Sequence, residues 1–288
     1  MTEHVRADAD AIVIRGEDGI RASEVVVGAA TDVGRLRTIN EDGYLAIAPA
    51  FVVVDGMGGH AAGRMATQVA LDSLYSLAGA TVTDVDTVVR AVVAAQEAIM
   101  AIPSHAAYLP GATIAGVILA WVADEQGVTR PTWVIFNIGD ARVYLLRDNM
   151  LSQVTRDHSR VQILIETGEL TPEQARRDPR RNIVTRALGG GIADSGVPDL
   201  YTVPVAVGDR FLICSDGLSD ELDDEAIATV LAAGCTAQRT AELLVAASLE
   251  GGGHDNTTAV VVDSLQVPTP PLGVRAFLPG DASSQGAQ

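Results

Sequence analysis

The chain has 288 residues, of which 48% are apolar, and its 37 acidic and 20 basic residues give a formal net charge of -17. A chain of this length and composition can bury a sizeable core, and we expect one large domain. The strong negative charge argues against nucleic acid or an anionic membrane as the main partner, so a phosphate-bearing ligand would need local cations.

The two ends of the chain differ from its middle. Residues 1–22 contain no apolar stretch of signal-peptide length, so we expect no secretory or transit segment there. Residues 267–288 are rich in Pro, Gly and Ser, and we expect both ends to be flexible segments around a domain at 23–266. The longest apolar run, 112–123, is shorter than the ~18–20 residues of a membrane span. Cys214 and Cys235 form no CxxC pair. We therefore expect two core cysteines in a soluble, cytoplasmic protein.

The secondary structure is predicted from the spacing of apolar residues, with Asp84 and Thr236 as helix N-caps. In chain order, the pattern predicts strands at 24–31 and 51–55, helices at 61–79 and 84–101, strands at 112–122, 132–140 and 141–148, a helix at 158–167, a strand at 210–216, helices at 223–233 and 236–249, and a strand at 256–263. Neighbouring strands without a helix between them favour antiparallel pairing, and the helices come in blocks. This order indicates an α+β layered fold rather than a Rossmann alternation.

Aspartates recur beside the predicted strands. One aspartate after a strand, as in FVVVDG, is an ordinary turn residue. Here five of them abut apolar strands: Asp42, Asp55, Asp140, Asp216 and Asp255. Carboxylates gathered at one end of a sheet repel one another unless a cation lies between them, and hard divalent cations prefer oxygen ligands. Because the sequence has no His/Cys ligand cluster, we expect Mg²⁺ or Mn²⁺ rather than Zn²⁺.

Such a site suggests chemistry at phosphorus. Two oxygen-ligated ions about 3.5–4 Å apart commonly share a bridging hydroxide and neutralise phosphoryl oxygens during an in-line displacement. Arg37, just before Asn40-Glu41-Asp42, can supply the bidentate fork that a phosphate dianion prefers. His60, on a glycine-rich turn, could protonate the leaving alkoxide or could simply be an exposed turn residue.

Several motifs together carry a resemblance to a known family. In order they are RTINED, VVVDGMGGHAAG, NIGDARVYLL, VTRDHS, NIVTRALG, FLICSDGLSD and GGHDNTTAVVV. Over residues 24–264 the chain resembles the bacterial form of the metal-dependent type 2C (PPM) serine/threonine protein phosphatases, and separated motifs in fixed order make the match specific. The resemblance implies a central sandwich of two antiparallel β-sheets flanked by antiparallel helix pairs.

The resemblance also implies roles for the acidic residues. It places Asp55 as the carboxylate that bridges two core metal ions, and Gly56 as a ligand through its backbone carbonyl. Asp42 matches a ligand of one of these ions, and Asp216 and Asp255 match ligands of the other.

Further roles concern a third metal ion and the substrate. Asp140 matches a position that helps to hold a third, weaker ion, shared with Asp216. Arg37 matches the phosphate-clamping arginine, and Glu41 supports the ligands. His60 would be the general acid, but eukaryotic members place a histidine directly after the DG pair, whereas here residues 57–59 intervene.

Residues 168–199 correspond to the flap of the family, a variable segment that shapes substrate access, and long irregular segments tend to be functional. Its arginines, Arg176, Arg177, Arg180 and Arg181, could contact acidic phosphoproteins or form a solvated basic patch. We expect His158 and Ser159, at the start of the predicted helix at 158–167, to cap it.

The predicted function is hydrolysis of phosphoserine and phosphothreonine in proteins, the products of a Ser/Thr kinase, by a monomer that binds neither nucleic acid nor membrane. A cysteine phosphatase is excluded, because the residue six positions after Cys214 is Asp220 and after Cys235 is Ala241 rather than arginine. A histidine/aspartate metallophosphatase is excluded by the absence of GNHE-type motifs. A regulatory partner-switching module of the same fold and a phosphatase for small metabolites stay open as alternatives.

Overall fold

A computed structural model describes residues 12–14, 25–59, 61–103, 109–124, 126–192 and 196–267. The strands are β1 (Ile12–Ile14), β2 (Val25–Asp32), β3 (Asp42–Ile47), β4 (Ala50–Met57), β5 (Gly111–Ala123), β6 (Thr129–Ile138), β7 (Arg142–Arg147), β8 (Met150–Gln153), β9 (Leu188–Gly189), β10 (Asp199–Pro204), β11 (Arg210–Cys214) and β12 (Thr257–Ser264). The α-helices are α1 (Ala61–Leu74), α2 (Val85–Met100), α3 (Arg160–Glu166), α4 (Pro172–Ala175), α5 (Asp216–Ser219), α6 (Asp224–Leu231) and α7 (Ala237–Gly251).

The strands form two sheets in the described part of the chain. The larger sheet has the order β1-β3-β4-β5-β6-β10, with β9 also paired to β5, and the smaller sheet has the order β2-β12-β11-β7-β8. Neighbouring strands are antiparallel except for β1 and β3, which run parallel. The predicted sandwich of two antiparallel sheets flanked by helices is confirmed.

The apolar run of β4 is explained by its position between two layers. Phe51 and Val53 lie in the core between the sheets, whereas Val52 and Val54 pack against the helices on the outer face. Because side chains alternate between the faces of a strand and both faces are covered here, every position is apolar. The strand is therefore a rigid, buried support for the aspartate that follows Val54.

Helix pairs cover the outer faces of the sandwich. α1 and α2 pack on the larger sheet through residues such as Leu71 and Val92, and α6 and α7 pack on the smaller sheet through residues such as Ile227 and Leu244. The predicted N-caps are confirmed, because the side chain of Asp84 accepts a hydrogen bond from the Thr87 amide and that of Thr236 from the Arg239 amide. No helix in the described ranges is long and apolar enough to span a membrane.

The structure also contains elements that the sequence pattern did not predict. β8 and β10 are edge strands with partly exposed residues, so they lack a continuous apolar run. β1 lies within the segment expected to be flexible. Cys214 is buried as predicted, whereas Cys235 is only half-buried, which corrects the expectation of two core cysteines. The flap contains the short α4 and β9 and is otherwise irregular.

Candidate metal centre

The five aspartates meet at one end of the sandwich. Asp42 begins β3 and lies directly opposite Asp55, near the end of β4. Asp140 occupies the turn between β6 and β7, Asp216 begins α5 just after β11, and Asp255 precedes β12. The antiparallel register brings these strand ends together.

Burial and mutual repulsion raise the pKa values of the central carboxyls. Burial raises the pKa of Asp55 well above its ordinary value, and the charges of Asp42, Asp216, Asp140 and Asp255 raise it further. Burial also raises the pKa of Asp216, with further contributions from Asp140, Asp220 and Asp255. The structure thus concentrates negative charge at a place where water is largely excluded.

Two flanking carboxyls show the same effect. Burial raises the pKa of Asp42 to about 6, against the opposing effect of hydrogen bonds from Thr258 and Ser215. Burial, followed by repulsion from Asp157, raises the pKa of Asp140 to about 7. These shifts mean that ionised carboxylates at this end of the sandwich need a compensating positive charge.

Two carboxylate oxygens fit the demand of a metal ion. Asp42 Oδ1 and Asp216 Oδ1 are buried and accept no hydrogen bond from a nitrogen or hydroxyl donor within the described residues, although the Asp55 carboxyl lies within hydrogen-bonding reach of both side chains. Among the described residues, the Asp, Glu, His and Cys side chains do not form a group of three or more whose present arrangement could hold a metal ion. The site therefore offers oxygen donors and negative charge suited to a hard divalent cation, without a closed set of ligands.

Glycines let the backbone pack tightly beside these carboxylates. A Cβ atom at Gly56 would lie 2.4 Å from the carbonyl oxygen of Gly63 and 2.5 Å from Oγ1 of Thr67, so no side chain fits between β4 and α1. Gly58 and Gly59 have φ angles of 114° and 89°, which disfavour other residues. The glycine-rich turn after Asp55 is thus required by close approach and backbone conformation.

Arg37 lies on the loop before β3 and points to the acidic cluster. Its Nη2 donates a hydrogen bond of 2.6 Å to Oδ2 of Asp255, and 45% of its side chain is exposed. The structure therefore places Arg37 next to Asp255, one of the five aspartates. His60 lies outside the described residues.

Asn256 anchors this loop, a role that the sequence analysis did not assign. Its Nδ2 donates to the carbonyl oxygens of Val33 and Ile39, at 2.8 and 3.0 Å, and its Oδ1 accepts from the Glu41 amide at 2.8 Å. The only sequence signal was its place directly after Asp255 in GGHDNTT.

The turn that carries Asp140 is held by His158. The amide of Gly139 donates to Nδ1 of His158 at 3.1 Å, and the His158 amide donates to the Gly139 carbonyl at 2.8 Å. Nε2 of the same ring lies 3.2 Å from Asp199 Oδ2. Ser159 caps α3 as predicted, through a bond from the Gln162 amide, but His158 supports the Asp140 turn instead of the helix.

A cavity of about 860 Å³ opens beside the acidic cluster, between the flap and the segment that contains α5 and α6. Asp140 and Asp216 contribute to its lining, so the cavity is continuous with the candidate metal centre.

Of the flap residues Arg176, Arg177, Arg180 and Arg181, three are engaged within the protein. Arg176 donates to the carbonyl oxygens of Ser219 and Asp220, at 3.1 Å each. Arg181 lies 3.4 Å from the Asp220 carboxylate, and Arg180 pairs with the neighbouring Asp178. The contacts of Arg176 and Arg181 attach the flap to the segment that follows Asp216.

The layered sandwich with buried carboxylates at one end agrees with the fold and the acidic residues that the motif resemblance implies. The sequence profile of the protein phosphatase 2C family matches residues 38–251. The chain belongs to this family.

Relatives of known name agree with this assignment. The chain is 38% identical over 240 residues to the serine/threonine protein phosphatase PstP of Mycobacterium tuberculosis (strain CDC 1551 / Oshkosh), a match that covers 82% of this chain and 44% of PstP. It is 33% identical over 243 residues to the serine/threonine phosphatase stp of Listeria monocytogenes (serovar 1/2a), covering 81% of this chain and 93% of the relative. The chain thus spans less than half the length of PstP.

A solved structure shows the same fold. The catalytic domain of serine threonine protein phosphatase PstP, in complex with two manganese ions, superposes with a TM-score of 0.71 at 35% sequence identity. The superposition covers 84% of this chain and 99% of that domain.

Proposed function

We propose that this chain is a metal-dependent phosphatase that hydrolyses phosphoserine and phosphothreonine in proteins, with the acidic end of the sandwich as its active site. The observation that carries the proposal is the pair of buried oxygens, Asp42 Oδ1 and Asp216 Oδ1, that accept no hydrogen bond from a nitrogen or hydroxyl donor within the described residues. Family membership and the two manganese ions in the PstP catalytic domain support it.

The proposed ligands follow from their places around the cluster. Asp55, which lies among the other carboxylates, would contact both core ions, together with the carbonyl of Gly56. Asp42 would bind one ion, and Asp216 and Asp255 the other. Asp140, with Asp216, would hold a third ion. Bound Mn²⁺ or Mg²⁺ would supply an activated water and neutralise charge on the phosphoryl oxygens.

The remaining proposed roles belong to the side chains that contact substrate. The guanidinium of Arg37, half-exposed at the edge of the cluster, would hold two phosphoryl oxygens. An oxygen from water forms the new bond to phosphorus, and the ester bond to the serine or threonine oxygen breaks. That leaving oxygen needs a proton, and His60 is the candidate donor.

Similarity to relatives named serine/threonine phosphatases, one of them a protein phosphatase, favours a protein substrate. The cavity of about 860 Å³ extends from Asp140 and Asp216 to the flap, and its volume by itself lies within the range of small-molecule sites. Retention of all five aspartates favours an enzyme over a regulatory partner-switching module.

The proposed partners and location follow from charge and composition. We propose that the substrates are phosphoproteins made by a Ser/Thr kinase, and that the protein acts as a monomer in the cytoplasm. The net charge of -17 supports the proposal that it binds neither nucleic acid nor an anionic membrane.

The experiment is turnover of a phosphothreonine peptide and of a sugar phosphate, each with Mn²⁺ and with EDTA. We expect Mn²⁺-dependent release of phosphate, with the peptide strongly preferred. Asp216→Asn, which removes one proposed ligand, serves as the inactive control. Equal turnover in EDTA would contradict the metal dependence, and preference for the sugar phosphate would indicate a metabolite phosphatase.

A further inference from the structure

The carboxylate of Asp42 receives two hydroxyl donors on the same oxygen. Ser215 Oγ and Thr258 Oγ1 each donate to Asp42 Oδ2 at 2.7 Å. Asp42 is fully buried, and its other oxygen, Oδ1, accepts no hydrogen bond from a nitrogen or hydroxyl donor within the described residues, although the Asp55 carboxyl lies within hydrogen-bonding reach of Asp42. The surrounding protein thus distinguishes sharply between two chemically equivalent oxygens.

The direction of the hydrogen bonds follows from the single proton on each hydroxyl. Because Thr258 donates to Asp42, it must accept in its 2.8 Å contact with Thr31 Oγ1. Thr31 therefore donates to Thr258 and accepts from Nδ2 of Asn40 at 2.9 Å. Asn40 Oδ1 in turn accepts from the Asp42 amide at 3.1 Å. The hydrogen-bond network starts and ends at Asp42.

This network ties together both sheets at the candidate metal centre. Thr31 lies near the end of β2, Asp42 begins β3, Thr258 lies in β12, and Ser215 follows β11. The Thr258 amide donates to Ser215 Oγ at 3.0 Å, so both hydroxyls that contact Asp42 are themselves oriented. A side chain held this way cannot exchange its two oxygens by rotation without breaking both bonds.

We infer that Thr258 and Ser215 are positioning residues, which saturate Oδ2 of Asp42 so that Oδ1 is the oxygen offered to a metal ion. The inference rests on the proposed function. A purely structural network would satisfy both oxygens of a buried carboxylate, because an unsatisfied buried acceptor is costly. Here the network satisfies one oxygen twice and leaves the other for a cation.

The test compares Thr258→Val, which removes the hydroxyl at nearly constant volume, with Thr258→Ser, which keeps it. The matched control is Thr240→Val: Thr240 is equally buried, and its hydroxyl donates within α7 to the Thr236 carbonyl at 2.9 Å. Calorimetric titration of each full-length variant with Mn²⁺ gives the Kd values, and thermal unfolding in EDTA gives Tm.

We expect Thr258→Val to weaken Mn²⁺ binding about 10- to 100-fold, the usual effect of removing a residue that orients a ligand. Thr258→Ser should restore most of the affinity. Thr240→Val should lower Tm but leave the Kd for Mn²⁺ unchanged. If Thr258→Val does not fold, Ser215→Ala tests the same oxygen through the other donor.

A wild-type Kd in Thr258→Val and Ser215→Ala, with only Tm reduced, would overturn the inference. Turnover separates it from the proposed function. If the wild-type protein binds Mn²⁺ but hydrolyses no phosphopeptide, the proposed function fails, while weaker Mn²⁺ binding by Thr258→Val still supports the positioning role. If the wild-type protein binds no Mn²⁺, both fail.

Discussion

Asp42 and Asp55 lie directly opposite each other on neighbouring antiparallel strands. Like charges at such cross-strand positions destabilise a sheet, and the effect is larger when both groups are buried. The strands that carry them are apolar and covered on both faces, so packing holds the two carboxyls together against their repulsion. The folded protein without metal therefore stores unfavourable electrostatic energy at this site.

Replacement of Asp55 by Asn should separate stability from activity. The change removes a buried carboxyl whose ionisation is unfavourable, as its raised pKa shows, so we expect Tm in EDTA at alkaline pH to rise by several degrees, since 1 kcal/mol corresponds to about 2–4 °C for a domain of this size. It also removes a proposed ligand of both core ions, so Mn²⁺-dependent hydrolysis of para-nitrophenyl phosphate should almost disappear. Calorimetry and initial rates measure the two effects. Near wild-type turnover would contradict the assignment of Asp55.

The stability of the metal-free protein should fall as pH rises. The folded-state pKa values of Asp42 and Asp140 are about 6 and about 7, against 3.8 for an ordinary aspartate. Between about pH 4 and 7 the folded state thus holds protons that the unfolded chain has released, and their stabilising contribution is lost through this window. In EDTA, Tm should be higher at pH 5.5 than at pH 7.5.

Asp140→Asn provides the control for this pH dependence, because it removes one of these titrating groups. Its Tm in EDTA should depend less on pH than that of the wild type. In saturating Mn²⁺ the trend should reverse, since ion binding requires deprotonated carboxylates. An unchanged slope in the variant would show that the pH dependence originates elsewhere.

Arg37 should contribute to both binding and chemistry. Loss of a charged hydrogen-bonding group at a phosphate costs about 1.5–3 kcal/mol, so Arg37→Ala should lower kcat/KM about 10- to 100-fold, with a higher KM and a lower kcat. Arg37→Lys should recover only part of the lost kcat/KM, because the point charge of a lysine cannot form the bidentate contact with phosphate. Arg90→Ala, which removes another exposed arginine near an aspartate, is the control. If KM for a phosphopeptide stays at the wild-type value, Arg37 serves only to hold Asp255.

Asn256 should be needed to keep the Arg37 loop in place. Asn256→Ala leaves the carbonyl groups of Val33 and Ile39 and the Glu41 amide without this partner, at about 1–3 kcal/mol for each group that stays buried and unsatisfied. We expect a Tm lower by several degrees and a higher KM for phosphopeptides. Gln126→Ala, at an exposed position in the turn between β5 and β6, should change neither. A lower Tm with an unchanged KM would limit Asn256 to a structural role.

His60 can be tested through the choice of leaving group. If it protonates the leaving oxygen, His60→Ala should reduce turnover of a phosphothreonine peptide by on the order of 10² to 10⁴. Turnover of para-nitrophenyl phosphate should fall much less, since a nitrophenolate needs little protonation. The comparison is of kcat/KM for both substrates in both proteins. Equal losses of kcat/KM on the two substrates would show that His60 is only a turn residue and does not protonate the leaving group.

Much of the secondary structure could be predicted from local patterns, because buried apolar residues recur along the chain with the period of a helix or a strand. The apolar run of β4 and the caps Asp84 and Thr236 were predicted in place. Strands at the sheet edges, β8 and β10, were missed because one face is left partly exposed and the apolar alternation is weak. Whether a strand lies at the edge of a sheet depends on which strands pair with each other, and this pairing cannot be predicted from a local sequence pattern.

The sequence by itself determined the chemical character of the site, since five aspartates after or before apolar strands imply oxygen ligands whatever the exact topology. Only the tertiary structure decided which oxygen of Asp42 is available, because its two donors, Ser215 and Thr258, are 173 and 216 positions away in the chain. It likewise decided that Arg176 and Arg181 bind the segment after Asp216. Hydrogen bonds depend on distances of about 3 Å between atoms, and for residues so far apart in sequence only packing sets those distances.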